Sequence, residues 1–108
     1  MLKKVNRLAK DSDIKMAFAR GRTFFNPFFT LKFLGNSAHK RFTIVVSTKV
    51  FKNATDRNRL KRLLREHLRK NLSSFKSGSY IVVAKPKVKN LPEAEMLKSF
   101  LDLCAKLK

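Results

Sequence analysis

Between Asn53 and Leu72 the apolar residues recur at a helical period. On a wheel turned by about 100° per residue, Leu60, Leu63, Leu64 and Leu68 share one arc, with Leu72 at its edge. Asn58, Arg62, Arg65 and Arg69 form a stripe almost opposite, flanked by Lys61. The spacing predicts one amphipathic helix, with its leucines on a core and its guanidinium groups turned outward. Asn53 is the N-cap candidate, with acidic Asp56 three residues on. Arg57 and Arg59 fall in the first turns, where cations oppose the helix dipole. A phosphate at that end, met by backbone N–H groups and arginine forks, would account for them.

The rest of the chain arranges around this helix. Asp11 or Ser12 caps a short helix that runs to Arg20 and stops at Gly21 as its C′ residue, with Ile14, Ala17 and Phe18 as its apolar stripe. An aromatic at the position of Phe18 is more often core than ligand platform. Asn26-Pro27 divides RTFFNPFFTLKFL into two short strands. In the second, alternation puts Phe29, Leu31 and Phe33 on one face and Phe28, Thr30 and Lys32 on the other. Arg41–Ser47 is a strand by its β-branched content, and Thr48–Lys52 is a basic connection. The central helix ends near Asn71, and Tyr80–Ala84 makes a fourth strand that Pro86 stops. Pro92 suits the first position of a last helix, whose stripe is Leu97, Phe100, Leu101, Cys104 and Leu107. The order αβββαβα describes one α+β domain over residues 1–108. Residues 1–10 lack a period and read as a basic tail, or as an arm that orders on RNA.

Charge adds a partner to this picture. Twenty-six Lys and Arg against seven Asp and Glu leave a net charge of +19, which the chain cannot neutralise internally. Nucleic acid is favoured over a membrane, since no stretch has the pattern of a lipid-inserting helix. The single cysteine, Cys104, excludes an internal disulfide and suits a reducing compartment. The charged N-terminus lacks a signal peptide's apolar run, and nothing reaches transmembrane length, so a cytoplasmic location is expected. Ten phenylalanines exceed what a small core needs, and some on an open sheet face suit base stacking.

Catalytic chemistry has little to draw on. Asp56 and Glu66 diverge around their helix by about 280° and cannot hold a shared cation. Glu66 reads instead as an intrahelical partner of Arg62 or Lys70, and Glu93 and Glu95 as dipole partners in the last helix. His67 lies near the leucine face and reads as a satisfied or half-exposed helix histidine, His39 has no carboxylate beside it in sequence, and no Gly-rich phosphate loop or metal-ligand spacing is present. No catalytic residue is assigned.

The run Arg57-Asn58-Arg59-Leu60-Lys61-Arg62-Leu63-Leu64-Arg65-Glu66 resembles the RNR-x-KR-x-x-RE signature of the protein subunit of bacterial ribonuclease P. Leu2-Lys3-Lys4 with Asn6-Arg7-Leu8, Phe18 with Arg20-Gly21, Ser47 with Lys49-Val50, and Ile81–Ala84 with Pro86 extend the likeness over nearly the whole chain. The resemblance implies a four-stranded sheet with a left-handed βαβ crossover around the central basic helix, as in ribosomal-protein-like folds. It implies an RNA-binding subunit that helps a catalytic RNA, with its Mg2+, remove the 5′ leader of precursor tRNA. Arg57, Asn58, Arg59, Lys61, Arg62, Arg65 and Arg69 would then face the RNA subunit. Phe18, Ile14, Lys49 and Lys52 would line a leader cleft between the first helix and the sheet. The chain departs from the family pattern at Ile14, usually aromatic, at Phe51, usually glycine, at Thr48, often lysine, and at Asp56, an added acid. The alternatives are a ribosomal-type structural RNA-binding protein and a DNA-binding regulator, though neither a dimerising heptad nor a helix-turn-helix pattern is present.

Overall fold

Asn26 makes the first bend. Its Oδ1 accepts from the backbone N–H groups of Phe28 and Phe29 at 2.9 and 2.8 Å, and its own N–H donates to the Phe29 carbonyl at 2.9 Å. This Asx turn separates β1 (Arg22–Phe25) from β2 (Phe29–Leu34), as the Asn-Pro pair predicts. The computed structural model describes residues 11–35 and 39–106, so the basic segment 1–10 and Leu107 lie outside it. Around the hairpin come α1 (Asp11–Arg20), β3 (Lys40–Val45), α2 (Ala54–Lys70), β4 (Gly78–Ala84) and α3 (Glu93–Ala105). Short 3-10 turns occupy Leu72–Ser74 and Pro86–Asn90. The predicted order αβββαβα is the observed one. No helix among the described residues is long and apolar enough to cross a membrane.

The four strands form one sheet in the order β1-β2-β4-β3. The first three run antiparallel, while β3 pairs parallel with β4, from Lys40 opposite Gly78 to Val45 opposite Val83. Parallel neighbours need a crossover, and α2 provides it. One sheet face carries Phe29, Leu31 and Phe33 of β2, Phe42 and Ile44 of β3, and Tyr80, Val82 and Ala84 of β4. Against it pack Leu60, Leu64 and Leu68 of α2 and Met96, Phe100 and Leu103 of α3. Phe42 stacks on Tyr80 with ring centroids 4.7 Å apart, and Phe29 meets Phe100 edge-on at 5.5 Å. The other face holds Ile81, on which α1 sets Ala17, with Ile14, Leu34 and Val83 around them.

Several local expectations change. Gly21 ends α1 without a left-handed conformation; it is required because a Cβ there would lie 2.3 Å from the Ala17 carbonyl and 3.0 Å from that of Phe33. The proposed caps Asp11 and Ser12 have side chains outside the described set. Asn53 stands at the N-cap of α2 but makes no side-chain capping bond, and Pro92 is the N-cap of α3 rather than its first helical residue. β3 stops at Val45, short of Ser47, because the Ser47 carbonyl accepts from Val50 N at 3.1 Å and turns the chain. Phe28 does not share the face of Thr30 and Lys32; held in the Asn26 turn, it packs on the main core.

Leu64 is fully buried at the centre of the α2 stripe. Leu64→Ala is expected to cost about 2–5 kcal/mol in urea unfolding, through lost transfer energy and a residual cavity. A loss well under that range would mean that the main core does not seat α2.

Candidate nucleic-acid interface

Because α2 buries only its leucine stripe, the opposite side is free to carry charge. Asn58, Arg59, Arg62 and Arg69 are exposed, and Lys61 and Arg65 are half-buried on their stems. The predicted stripe is therefore one continuous outward surface. Arg57 differs. Its Nη1 donates to the carbonyls of Phe51 and Lys52 at 2.9 and 2.8 Å, so it fastens the entering loop to the first turn of α2. That role explains a cation at the helix start without any phosphate. Arg59 is highly exposed, with Nη2 4.0 Å from the Glu93 carboxylate of α3. Of the two N-terminal arginines, it is the one turned outward.

Toward the other end of the helix, Arg69 pairs with Glu66 at i+3, donating from Nε at 3.0 Å, where the spacing had suggested Arg62 or Lys70. The hydrogen bond from Arg69 holds the Glu66 carboxyl down at about 2. His67 is half-buried and meets Phe100 edge-on at 6.2 Å, with Nε2 3.3 Å from Asn71 Nδ2. Burial, and then the charge of Lys70, hold its pKa below the ordinary value. Among the described residues, no three His, Cys, Asp or Glu side chains gather into a metal cage.

A second surface lies on the α1 side of the sheet. Ala17 lets α1 sit close over Ile81, and the aromatic next to it is left outside: Phe18 is 44% exposed, not core as its helical position suggested. Lys32 of β2 sets its Nζ 5.6 Å from the Phe18 ring centroid and 3.0 Å from Thr23 Oγ1. Phe25 of β1 is 65% exposed on the same face, with Lys85 Nζ 5.1 Å from its ring centroid. Ile14 is half-buried against Ile81 and contributes wall rather than platform. Lys49 and Lys52 are exposed beyond the end of β3, whereas Phe18 and Lys32 lie over β1 and β2. Thr23, Phe25 and Lys32 were not singled out as site residues, although alternation already placed Lys32 on the face opposite Phe29, Leu31 and Phe33. What the pattern lacked was the pairing of β1 with β2.

A family model described as Ribonuclease P matches residues 2–108. A relative from Pseudanabaena, named "Ribonuclease P protein component", is 39% identical over 99 residues, spanning 90% of this chain and 85% of the relative. The solved ribonuclease P protein of Staphylococcus aureus superposes with a TM-score of 0.88 at 26% identity, covering 95% of each chain. That of Thermotoga maritima gives 0.84 at 28% identity, over 94% of this chain and 97% of that one.

The His67 environment sets a pH dependence. A pKa lower in the folded than in the unfolded chain means that folding favours the neutral ring. Stability is then full above about pH 6.5 and is lost as the pH falls through the folded value. The urea midpoint should be lower near pH 5 than near pH 7.5, and His67→Gln should flatten the difference. A slope that survives the substitution would place the proton elsewhere.

Proposed function

Because the chain belongs to the ribonuclease P protein family, we propose that it works through two surfaces, the outward face of α2 and the α1 side of the sheet. The chain is the RNA-binding protein component of ribonuclease P, the endoribonuclease that matures tRNA 5′ ends, and it associates with the enzyme's RNA subunit. That membership displaces the ribosomal-type and DNA-regulator alternatives. In this reading the exposed stripe of Asn58, Arg59, Arg62 and Arg69, with Lys61 and Arg65 beside it, docks on the RNA subunit. The observation that carries it is the clean division of α2, with Leu60, Leu64 and Leu68 buried and an unbroken cationic face behind them. Phosphate contacts from such a face release counterions and bind without regard to sequence.

The finer part of the proposal is the leader. Phe18 and Phe25 offer stacking faces, while Lys32 and Thr23 beside them reach phosphate and sugar. Such a platform suits a single strand whose sequence varies between precursors. Lys49 and Lys52 flank the opposite edge as electrostatic guides, and Ile14 supports the platform from beneath. In this reading the Mg2+ of catalysis belongs to the holoenzyme and is bound mainly by the RNA. The chain's own contribution is to hold the RNAs and to relieve their mutual repulsion with its charge of +19. A cytoplasmic location belongs to the same proposal.

Adding the chain to a ribonuclease P RNA should lower the Mg2+ needed to cleave a precursor tRNA; no stimulation with a matched RNA would defeat the proposal. Phe18→Ala should weaken binding of a precursor with a long leader by roughly tenfold, while mature tRNA and RNA-subunit affinity stay unchanged. Arg62→Glu should act on the other surface. It should lower RNA-subunit affinity and reduce the salt slope by about one, with no change in the thermal melt.

A further inference from the structure

A groove of about 310 Å3 opens between the first turns of α2, the 3-10 turn Pro86–Asn90 and the first turn of α3. Leu60, Val88 and Met96 close its bottom, and half-buried Phe51, Leu63 and Leu91 form its walls. Four charged side chains complete the lining: Asp56 and Arg59 from α2, Lys89 from the turn and Glu93 from α3. This is a small apolar slot with a few convergent polar groups, the general form of a ligand site.

The lining restricts the occupant. The walls call for a flat or apolar group, and Phe51 presents an aromatic ring among them. The two cations suit phosphates, while the two carboxylates accept hydrogen bonds and donate none. Among nucleic-acid bases, cytosine, adenine and guanine bring an exocyclic amine to such an acceptor, and uracil brings a carbonyl in its place. The Arg59–Glu93 pair does not block entry: both side chains are exposed at a separation of 4.0 Å, and pairs of that kind are weak. The groove also borders the outward face of α2, since at about 100° per residue Arg59 falls between Arg62 of the stripe and Leu63 of the groove wall. A strand lying along that face passes the mouth of the groove.

We propose that this groove captures one unstacked, amino-bearing base of the ribonuclease P RNA. The ring lies against Phe51, Leu63 and Leu91, the amine donates to Asp56 or Glu93, and Arg59 and Lys89 hold the neighbouring phosphates. This rests on the reading of α2 as the RNA-docking helix. It gives Asp56, otherwise an electrostatic liability beside the arginines, a part in base selection.

Methyl NMR of the full chain tests it, with octacytidylate and octauridylate as probes of equal charge. Leu63, Leu91 and Met96 methyls should shift upfield with octacytidylate, which should bind roughly fivefold more tightly than octauridylate. The double variant Asp56→Asn, Glu93→Gln should erase that preference without lowering total affinity, since two repelling charges are lost. Both residues are exposed, and an unchanged methyl spectrum of the free variant will show that it folds. If Arg62 and Arg65 side-chain signals move with both octamers while the groove methyls stay still, RNA docks on α2 and the groove is not a base site. If an acidic leucine-rich peptide moves the groove methyls and neither octamer does, the groove takes a protein and the proposal fails. No response anywhere, even to intact ribonuclease P RNA, would instead defeat the underlying assignment of α2.

Discussion

Burial of Leu60, Leu64 and Leu68 under the sheet is the interaction on which the remaining structure depends. The segment Ala54–Lys70 carries seven Lys and Arg against two acids, and such a helix has little reason to stay put on its own. Helices of this length draw most of their stability from tertiary packing. Once α2 is seated, three consequences follow. β3 and β4 are held as parallel neighbours, the basic face is aimed away from the core, and the start of α2 is brought beside the start of α3. Arg57 reinforces this placement by fastening the loop carbonyls of Phe51 and Lys52. This guanidinium thus braces the helix start that carries the outward ones.

The local structure was legible wherever one physical signal dominated. The leucine period marked α2, the Asn26-Pro27 break marked the turn between two strands, and alternation set Phe29, Leu31 and Phe33 on a face opposite Thr30 and Lys32. The cationic stripe emerged intact for the same reason, since it is the complement of the leucines. Features set by long-range pairing were not legible. Asn26 gives its amide protons to the Ser99 carbonyl and hydroxyl at 3.1 and 3.0 Å, tying the hairpin to a helix far along the chain. Lys32 meets Phe18 only because α1 settles across β2, and Arg59 meets Glu93 only because α3 returns beside α2. The pattern left Phe18 open between core and platform because helical spacing shows which residues share a face but not how far the sheet extends beneath it.

Family resemblance and physical reading contributed different things. The resemblance named the RNA partner and the group of residues on α2, while the geometry sorted that group by work. Arg57 is largely committed to the loop backbone and Arg69 is paired with Glu66. Arg59, Arg62 and Asn58 stand outward, and Lys61 and Arg65 lay their stems along the helix. These differences imply unequal contributions within a motif that looks uniform in one dimension.

The two faces of the sheet show how a small cationic domain can carry two RNA surfaces without sacrificing its core. On one face, large rings and leucines interlock under α2 and α3, and exposed function is confined to the far side of α2. On the other, α1 touches down through Ala17, the smallest side chain of its stripe, over Ile81. That close approach leaves the flanks of the face open, so Phe18 and Phe25 remain solvent-facing within reach of lysines. Exposed aromatics of this kind contribute little to folding. On the proposed reading they serve as stacking faces, and they lie apart from the main core under α2. In that reading, docking on the RNA subunit and gripping a variable leader place opposite demands on a surface. A sheet with one dense face and one thinly covered face meets both.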